Sequence, residues 1–104
     1  IRILVAGVCY KPDVPDSRCS AAVRLAQLLS AHGALPCWYD PVLEDMPPEL
    51  HGLPRGATLD GLSCGAVVLG VPHARFTGDA LRAVAPLVFD PFGLLPAAPG
   101  VIAV

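Results

Sequence analysis

Charge is scarce in this chain of 104 residues: Asp, Glu, Lys and Arg make up 15% of it, and the formal net charge is -2. No run of Lys or Arg interrupts it. The sequence therefore carries neither the basic footprint of a nucleic-acid binder nor the polybasic patch that holds a protein at an anionic membrane. Its apolar runs all fall far short of the roughly 20 residues that span a bilayer. The four cysteines, Cys9, Cys19, Cys37 and Cys64, include no CxxC pair, and no histidine stands near them at zinc-like spacing. Neither a metal site nor a redox motif is written in that pattern. An α/β core of this size needs no staples and no secretion signal is visible, so we expect packed, reduced thiols in a cytoplasmic protein.

What the chain does have is apolar surface, at 54% hydrophobic residues. That is too much for disorder, and it suggests strands buried on both faces or a surface docked on something else. The length fits one domain with a real core and is too short for two. The sequence starts on Ile1 inside a strand-like run and ends on another, Val101-Ile102-Ala103-Val104, as a domain excised from a longer polypeptide would.

Residues 1–8 form a nearly continuous apolar run, the pattern of a central strand. Ser20 is a good N-cap for a helix that turns Ala22, Leu25, Ala26 and Leu29 inward and Arg24, Gln27 and Ser30 outward, with Gly33 as the residue beyond its C-cap. A second strand is expected over 35–39, stopped at Asp40-Pro41. The Pro- and Gly-rich segment 42–56 has room for at most a turn of helix. A short edge strand is expected at 57–59 and one helical turn over 59–64, before a buried strand at 66–71. Thr77 caps a helix over 78–85 with Leu81 and Val84 inward, Pro86 stops it, and residues 87–89 form another strand ahead of a turn at 90–93. Alternation of this kind gives a Rossmann-like α/β three-layer sandwich with a mostly parallel sheet of five or six strands.

The link from first strand to first helix, residues 7–20, is longer than the usual two to six or so residues and needs a reason. Pro12 and Pro15 stiffen it, presenting Tyr10, Lys11 and Arg18 with little conformational freedom. In open parallel sheets ligands bind beyond the carboxyl ends of the strands. Tyr10, Lys11, Asp40, His73 and Asp90 should share that rim with Asp16 and Arg18. The dinucleotide fingerprint GxGxxG is missing, since Cys9 and Pro12 stand where glycines would. Instead Lys11 and Arg18 lie near the helix N-terminus and suit phosphate oxygens, with Asp16 between them to orient or neutralise Arg18. A solvated Lys11 and a simple Asp16–Arg18 pair remain the competing account. For His73 the choice lies between acid–base work and capping a turn, for Asp40 a role in its own turn is favoured, and Trp38 and Phe76 are simplest as core or interface residues. Cys19 has no local base and is read as structural.

The run Tyr10-Lys11-Pro12-Asp13-Val14-x-Asp16-x-Arg18-x-Ser20 resembles the signature of the UDP-glucose/GDP-mannose dehydrogenase family, in its C-terminal domain. Gly33 followed by Tyr39-Asp40-Pro41, then Ala66-Val67-Val68, then His73-x-x-Phe76, extend the resemblance along the chain. It implies a single domain over residues 1–104 that binds the nucleotide end of a nucleotide sugar, a UDP-sugar. That domain would belong to an NAD-dependent 6-dehydrogenase, which oxidises the C6 alcohol to a carboxylate by two hydride transfers. The family's catalytic cysteine and GxGxxG lie in preceding domains, so no catalytic residue is expected here and NAD is bound mainly outside this chain. Tyr10 and Lys11 would contact the nucleotide sugar and Arg18 the NAD, with Asp16 and Ser20 in support. The implied partners are the preceding domains of the same polypeptide and further copies in a homo-oligomer. The sequence departs from the family at Cys19, usually acidic, at Pro15, often polar, and after Asp90, where an arginine directed at the substrate is common and none is present. Those departures motivate an alternative, a degenerate, non-catalytic Rossmann-like domain serving assembly or packing.

Overall fold

The computed structural model describes residues 1–103. Its elements are β1 (Arg2–Ala6), α1 (Ala21–Ala31), β2 (Leu35–Tyr39), β3 (Ala66–Leu69), α2 (Gly78–Val84), β4 (Leu87–Asp90) and β5 (Val101–Ala103), with a 3₁₀ turn at Pro48–Leu50. The strands make one sheet in the order β2-β1-β3-β4-β5, and every pairing is parallel. This is the expected Rossmann-like α/β sandwich, with five strands and no antiparallel member among the described residues.

Two cores lie on opposite faces of the sheet. Val5 of β1 packs with Ala22, Val23 and Ala26 of α1 and with Trp38 and Leu50, while Leu4 and Ala6 pack with Leu81 and Val84 of α2 and with Val67, Leu69 and Val88. The alternation along β1 makes both layers possible, because successive side chains leave a strand on opposite faces. From β1 the chain crosses through α1 to β2, and from β3 it crosses through α2 to β4 on the far side. The carboxyl ends of β1 and β3 are therefore the switch point at which a crevice opens.

Local chemistry sets the helix ends. Ser20 Oγ accepts from Val23 N at 3.3 Å, and Thr77 Oγ1 accepts from Ala80 N at 3.2 Å. At the other end of α1, Gly33 takes φ +87, while Gly33 N donates to Ser30 O (3.2 Å) and Ala34 N to Leu29 O (3.1 Å). These are the paired bonds of a Schellman motif. Ala22 and Ala26 are buried and Leu29 packs beside them as expected, Val23 joins them in the core, and Leu25 is only half-buried.

The expected edge strand at 57–59 does not form. Pairing at the outer edge of β2 comes earlier: Trp38 N donates to Pro54 O at 3.0 Å and Gly56 N to Trp38 O at 2.7 Å, a single bridge centred on Arg55. Pro54 contributes no N–H to extend the ladder, and Leu59 packs instead against the α2-side core. The expected helical turn over 59–64 does not form: Leu62 N donates to Leu59 O at 3.2 Å across a β-turn in which Gly61 takes φ +78, outside the helical region. The first and third strands end sooner than their apolar runs, and Val104, expected to extend the last strand, lies outside the described residues.

One strip of the sheet stays uncovered. Val88 and Val101 pair in register and face the α2-side core, whereas Leu87, Phe89 and Ile102 keep 42%, 38% and 39% of their surface exposed. Phe89 and Ile102 are register partners, so the exposed residues share one face of β4 and β5.

The crossing of β1 and β3 at their carboxyl ends depends on glycine. Gly7 holds φ +91, and a Cβ there would stand 2.9 Å from the Val71 carbonyl oxygen. A Cβ at Gly70 would meet the Gly7 carbonyl and stand 2.8 Å from Ala22 Cβ. Gly7→Ala should destabilise the protein by about 2–3 kcal/mol, combining overpacking with a left-handed backbone. Urea titration checks it, through a lower midpoint at unchanged slope.

Candidate functional site

The loop at 7–20 is folded upon itself. Tyr10 N donates to Asp16 O at 2.6 Å, closing its neck, and within it Val14 N donates to Lys11 O (3.3 Å) and Asp16 N to Val14 O (2.8 Å). Two non-glycine residues take left-handed backbone, Asp13 at φ 61 and Cys19 at φ 60. Aspartate tolerates that region better than most residues. Ser20 ties the far end back, because Oγ donates to Cys9 O at 3.3 Å while capping α1.

A second set of bonds fastens this loop to β2 and β3. Asp40, at the carboxyl end of β2 and buried, accepts on Oδ2 from Val8 N (2.8 Å) and Cys9 N (3.1 Å), and on Oδ1 from Val42 N (2.8 Å) and Leu43 N (3.0 Å). His73 follows β3 with its side chain fully buried, and its Nε2 lies 2.9 Å from Asp40 Oδ2. Asp13 N donates to His73 Nδ1 at 2.8 Å. Nδ1 is thereby an acceptor, which assigns the proton to Nε2 and makes the imidazole the donor to Asp40. Asp13 Oδ1 accepts in turn from Ala74 N at 3.1 Å. Residues from three separate segments are thus joined in one chain of hydrogen bonds, buried at Asp40 and His73 and reaching the surface at Asp13.

Burial alone would raise the Asp40 carboxyl. The His73 bond and the amides of Val8, Val42 and Leu43 outweigh it and hold Asp40 below the usual carboxylate range. Burial first, then the Asp40 carboxylate, push the neighbouring Cys9 thiol up to about 12, so it rests protonated and non-nucleophilic at neutral pH. Cys9, Asp40 and His73 could offer a metal three ligand atoms within 4.8 Å of one another. Both imidazole nitrogens and both Asp40 oxygens are already engaged, Oδ2 on the loop and Oδ1 on the turn after β2, so the arrangement acts as a latch.

Outside the latch the loop presents its charged side chains to solvent. Arg18 donates from Nε and Nη2 to the two Asp16 oxygens at 3.0 and 2.8 Å, and its own N–H reaches Asp16 Oδ1 at 2.9 Å. This fork draws the Asp16 carboxyl down to about 2 and raises Arg18. The Arg18 side chain nevertheless keeps 88% of its surface exposed. Lys11 Nζ stands 5.5 Å from the centre of the exposed Tyr10 ring, within cation–π range. Beside the loop, Tyr39, Pro41, Arg55 and Arg75 line a cleft of about 450 Å³.

Of the residues expected to share the rim, Asp40 and His73 meet beneath the loop that carries Tyr10, Lys11, Asp16 and Arg18. Asp90 does not join them. Its fully buried carboxylate accepts from Phe92 N and Gly93 N, both at 3.0 Å, and from Leu95 N at 2.7 Å, holding its own turn. Asp13 was legible in the motif without a role; a polar residue tolerant of left-handed backbone just after Pro12 was the available signal.

The architecture is that of a doubly wound α/β domain carrying a latched, cation-bearing loop at its switch point. The model of the UDP-glucose/GDP-mannose dehydrogenase family, UDP binding domain, matches residues 4–97, and the chain belongs to that family. Among curated proteins none matches it. A solved structure of the UDP-N-acetyl-mannosamine dehydrogenase Cap5O from S. aureus shares its fold with a TM-score of 0.72 at 20% identity, over 98% of this chain and 25% of that one. The chain thus spans about a quarter of the length of that dehydrogenase.

The lowered Asp40 value fixes the sign of an acid dependence. A carboxyl depressed by folding contributes stability that is present above its unfolded value of about 4 and is lost as pH falls through the folded value. Asp40→Asn should cost about 1.5–3 kcal/mol at pH 7. The gap between wild type and variant should then narrow below about pH 4, as unfolding free energies measured across pH will show.

Proposed function

We propose that this chain is the C-terminal, nucleotide-sugar-binding domain of a longer, cytoplasmic, homo-oligomeric NAD-dependent UDP-sugar 6-dehydrogenase. The observation that carries the proposal is the rigid loop at the switch point, its backbone fastened by Asp40, His73 and Asp13 while Tyr10 and Lys11 stand exposed. Lys11, the chain's only lysine, supplies a mobile point charge for the diphosphate, and Tyr10 offers a flat apolar face beside it. A loop ordered before the ligand arrives lets energy from the remote nucleotide orient the distant C6 hydroxyl.

The residues present do not form a dinucleotide cradle. Gly7 is committed to the crossing with Val71, and Ser20 already satisfies Val23 N at the start of α1. NAD, which accepts the hydride when bound, would be held mainly by a domain outside this chain. Arg18 is proposed to reach it: Asp16 engages Nε and Nη2 and leaves Nη1 without a partner among the described residues. Ser20 and Asp16 support the loop and the fork respectively.

A second reading, a non-catalytic domain kept for assembly, draws on the uncovered strip of Leu87, Phe89 and Ile102 and on the absence of an arginine after Asp90. Calorimetry with UDP on the full-length polypeptide separates the two. The dehydrogenase reading expects binding heat that Lys11→Ala weakens about tenfold or more, in keeping with about 1.5–3 kcal/mol for a hydrogen bond to a charged group. Absence of UDP binding in the wild type favours the assembly domain. In steady-state kinetics, Arg18→Ala should raise KM for NAD several-fold and leave KM for the UDP-sugar near its wild-type value; unchanged NAD kinetics would remove Arg18 from the site.

A further inference from the structure

Two cysteines that play no part in the site above lie in contact. Cys37, at the middle of β2, and Cys64, two residues before β3, bring their Sγ atoms to 3.8 Å. Both belong to the α2-side core cluster with Leu4, yet each keeps 8% of its surface exposed. Cys37 also lines an open cleft of about 380 Å³ on the outer flank of β2, walled by Leu35, Pro36, Pro54 and Leu62.

The backbone around the pair is well anchored. Cys37 is the register partner of Leu4, Cys64 N donates to Val84 O at 2.9 Å, and Gly65 N donates to Arg2 O at 2.8 Å. The contact between the two thiols is the starting geometry for a bridge of about 2.05 Å. We propose that Cys37 and Cys64 are a modification site, a dithiol that a small disulfide such as glutathione disulfide oxidises to an intramolecular bridge.

The exchange balances. The Cys37 thiolate attacks one sulfur of glutathione disulfide and expels a glutathione thiolate, which takes up the proton that Cys37 gave up. The Cys64 thiolate then attacks the Cys37 sulfur of the mixed disulfide and expels the second glutathione. The protein loses two electrons and two protons and gains one S–S bond, and glutathione disulfide is reduced to two glutathione molecules. Burial, followed by the neighbouring Cys64, pushes the Cys37 thiol up to about 11, so the exchange accelerates as pH rises.

The bridge would close a loop over residues 38–63. That segment carries Asp40, the anchor of the ligand loop, and Arg55, whose guanidinium lies 4.8 Å from the Trp38 ring centre. Oxidation would therefore restrain the side of the domain on which the latch depends.

The full-length polypeptide with Cys19→Ser, which removes the exposed competing thiol, is incubated with glutathione disulfide at pH 8.5, alkylated, digested and analysed by mass spectrometry. The expected product is a Cys37–Cys64 linked peptide that dithiothreitol releases, with Cys9 recovered as a free thiol. Cys37→Ser and Cys64→Ser should each abolish it. Hydrogen exchange across 38–63 should slow about tenfold on oxidation and recover on reduction, as expected of a cross-link that removes loop freedom. Recovery of Cys37 and Cys64 only as separate alkylated thiols overturns the site, and a bridge that leaves exchange across 38–63 unchanged overturns the restraint.

Discussion

A single buried carboxylate sets the geometry of the functional edge. Asp40 closes the end of β2 with one oxygen and reaches across to Val8, Cys9 and His73 with the other. Burying an ion unaided would be prohibitive, and four amides and an imidazole offset that cost. Neutral His73 extends the reach of the carboxylate to Asp13, near the tip of the loop. The ends of β2 and β3 and the loop after β1 therefore form one hydrogen-bonded body.

This arrangement changes when the entropy of the loop is given up. Fixing one residue costs about 1–2 kcal/mol, and a flexible loop of this length would take that cost out of ligand affinity. Here folding has already borne it through Pro12, Pro15, the Tyr10–Asp16 neck and the Asp40 latch. The glycines at 7 and 70 belong to the same design, because a Cβ at either would clash where the segments leaving β1 and β3 meet.

The sequence showed the layers more clearly than the links between them. The apolar runs of β1 and β3, the Ser20 and Thr77 caps and Gly33 were plain because each signal is local and periodic. Strand ends were less plain: the run at 66–71 continues apolar past Leu69, but Gly70 N and Val71 N both turn to Ala6 O. The edge strand at 57–59 was misplaced because chain pairing at β2 is decided by where Pro54 lets a bridge form, which composition does not state. The motif residues Tyr10, Lys11, Asp16, Arg18 and Ser20 could be named as candidates from the resemblance to the family's loop signature. The contact of His73 with Asp13, sixty positions earlier, could not, since it depends on how two crossovers bring distant strand ends together.

Charge at the rim is more economical than the motif suggests. Asp16 occupies two edges of Arg18, and Asp13 faces the start of the segment after β3, so two carboxylates accompany the two loop cations. Where the resemblance led us to expect a third cation, Asp90 gathers the amides of Phe92, Gly93 and Leu95, and Phe92 stands exposed. On the proposed reading, the diphosphate of a nucleotide sugar would then meet one loop charge, Lys11, while the outer edge of Arg18 is turned to the NAD. Affinity built on so few cations depends on their being held in place rather than on a strong field, because exposed point charges are screened within about 10 Å at 0.1 M salt. The latch and the proline-stiffened loop thus do by position what a more basic site would do by charge.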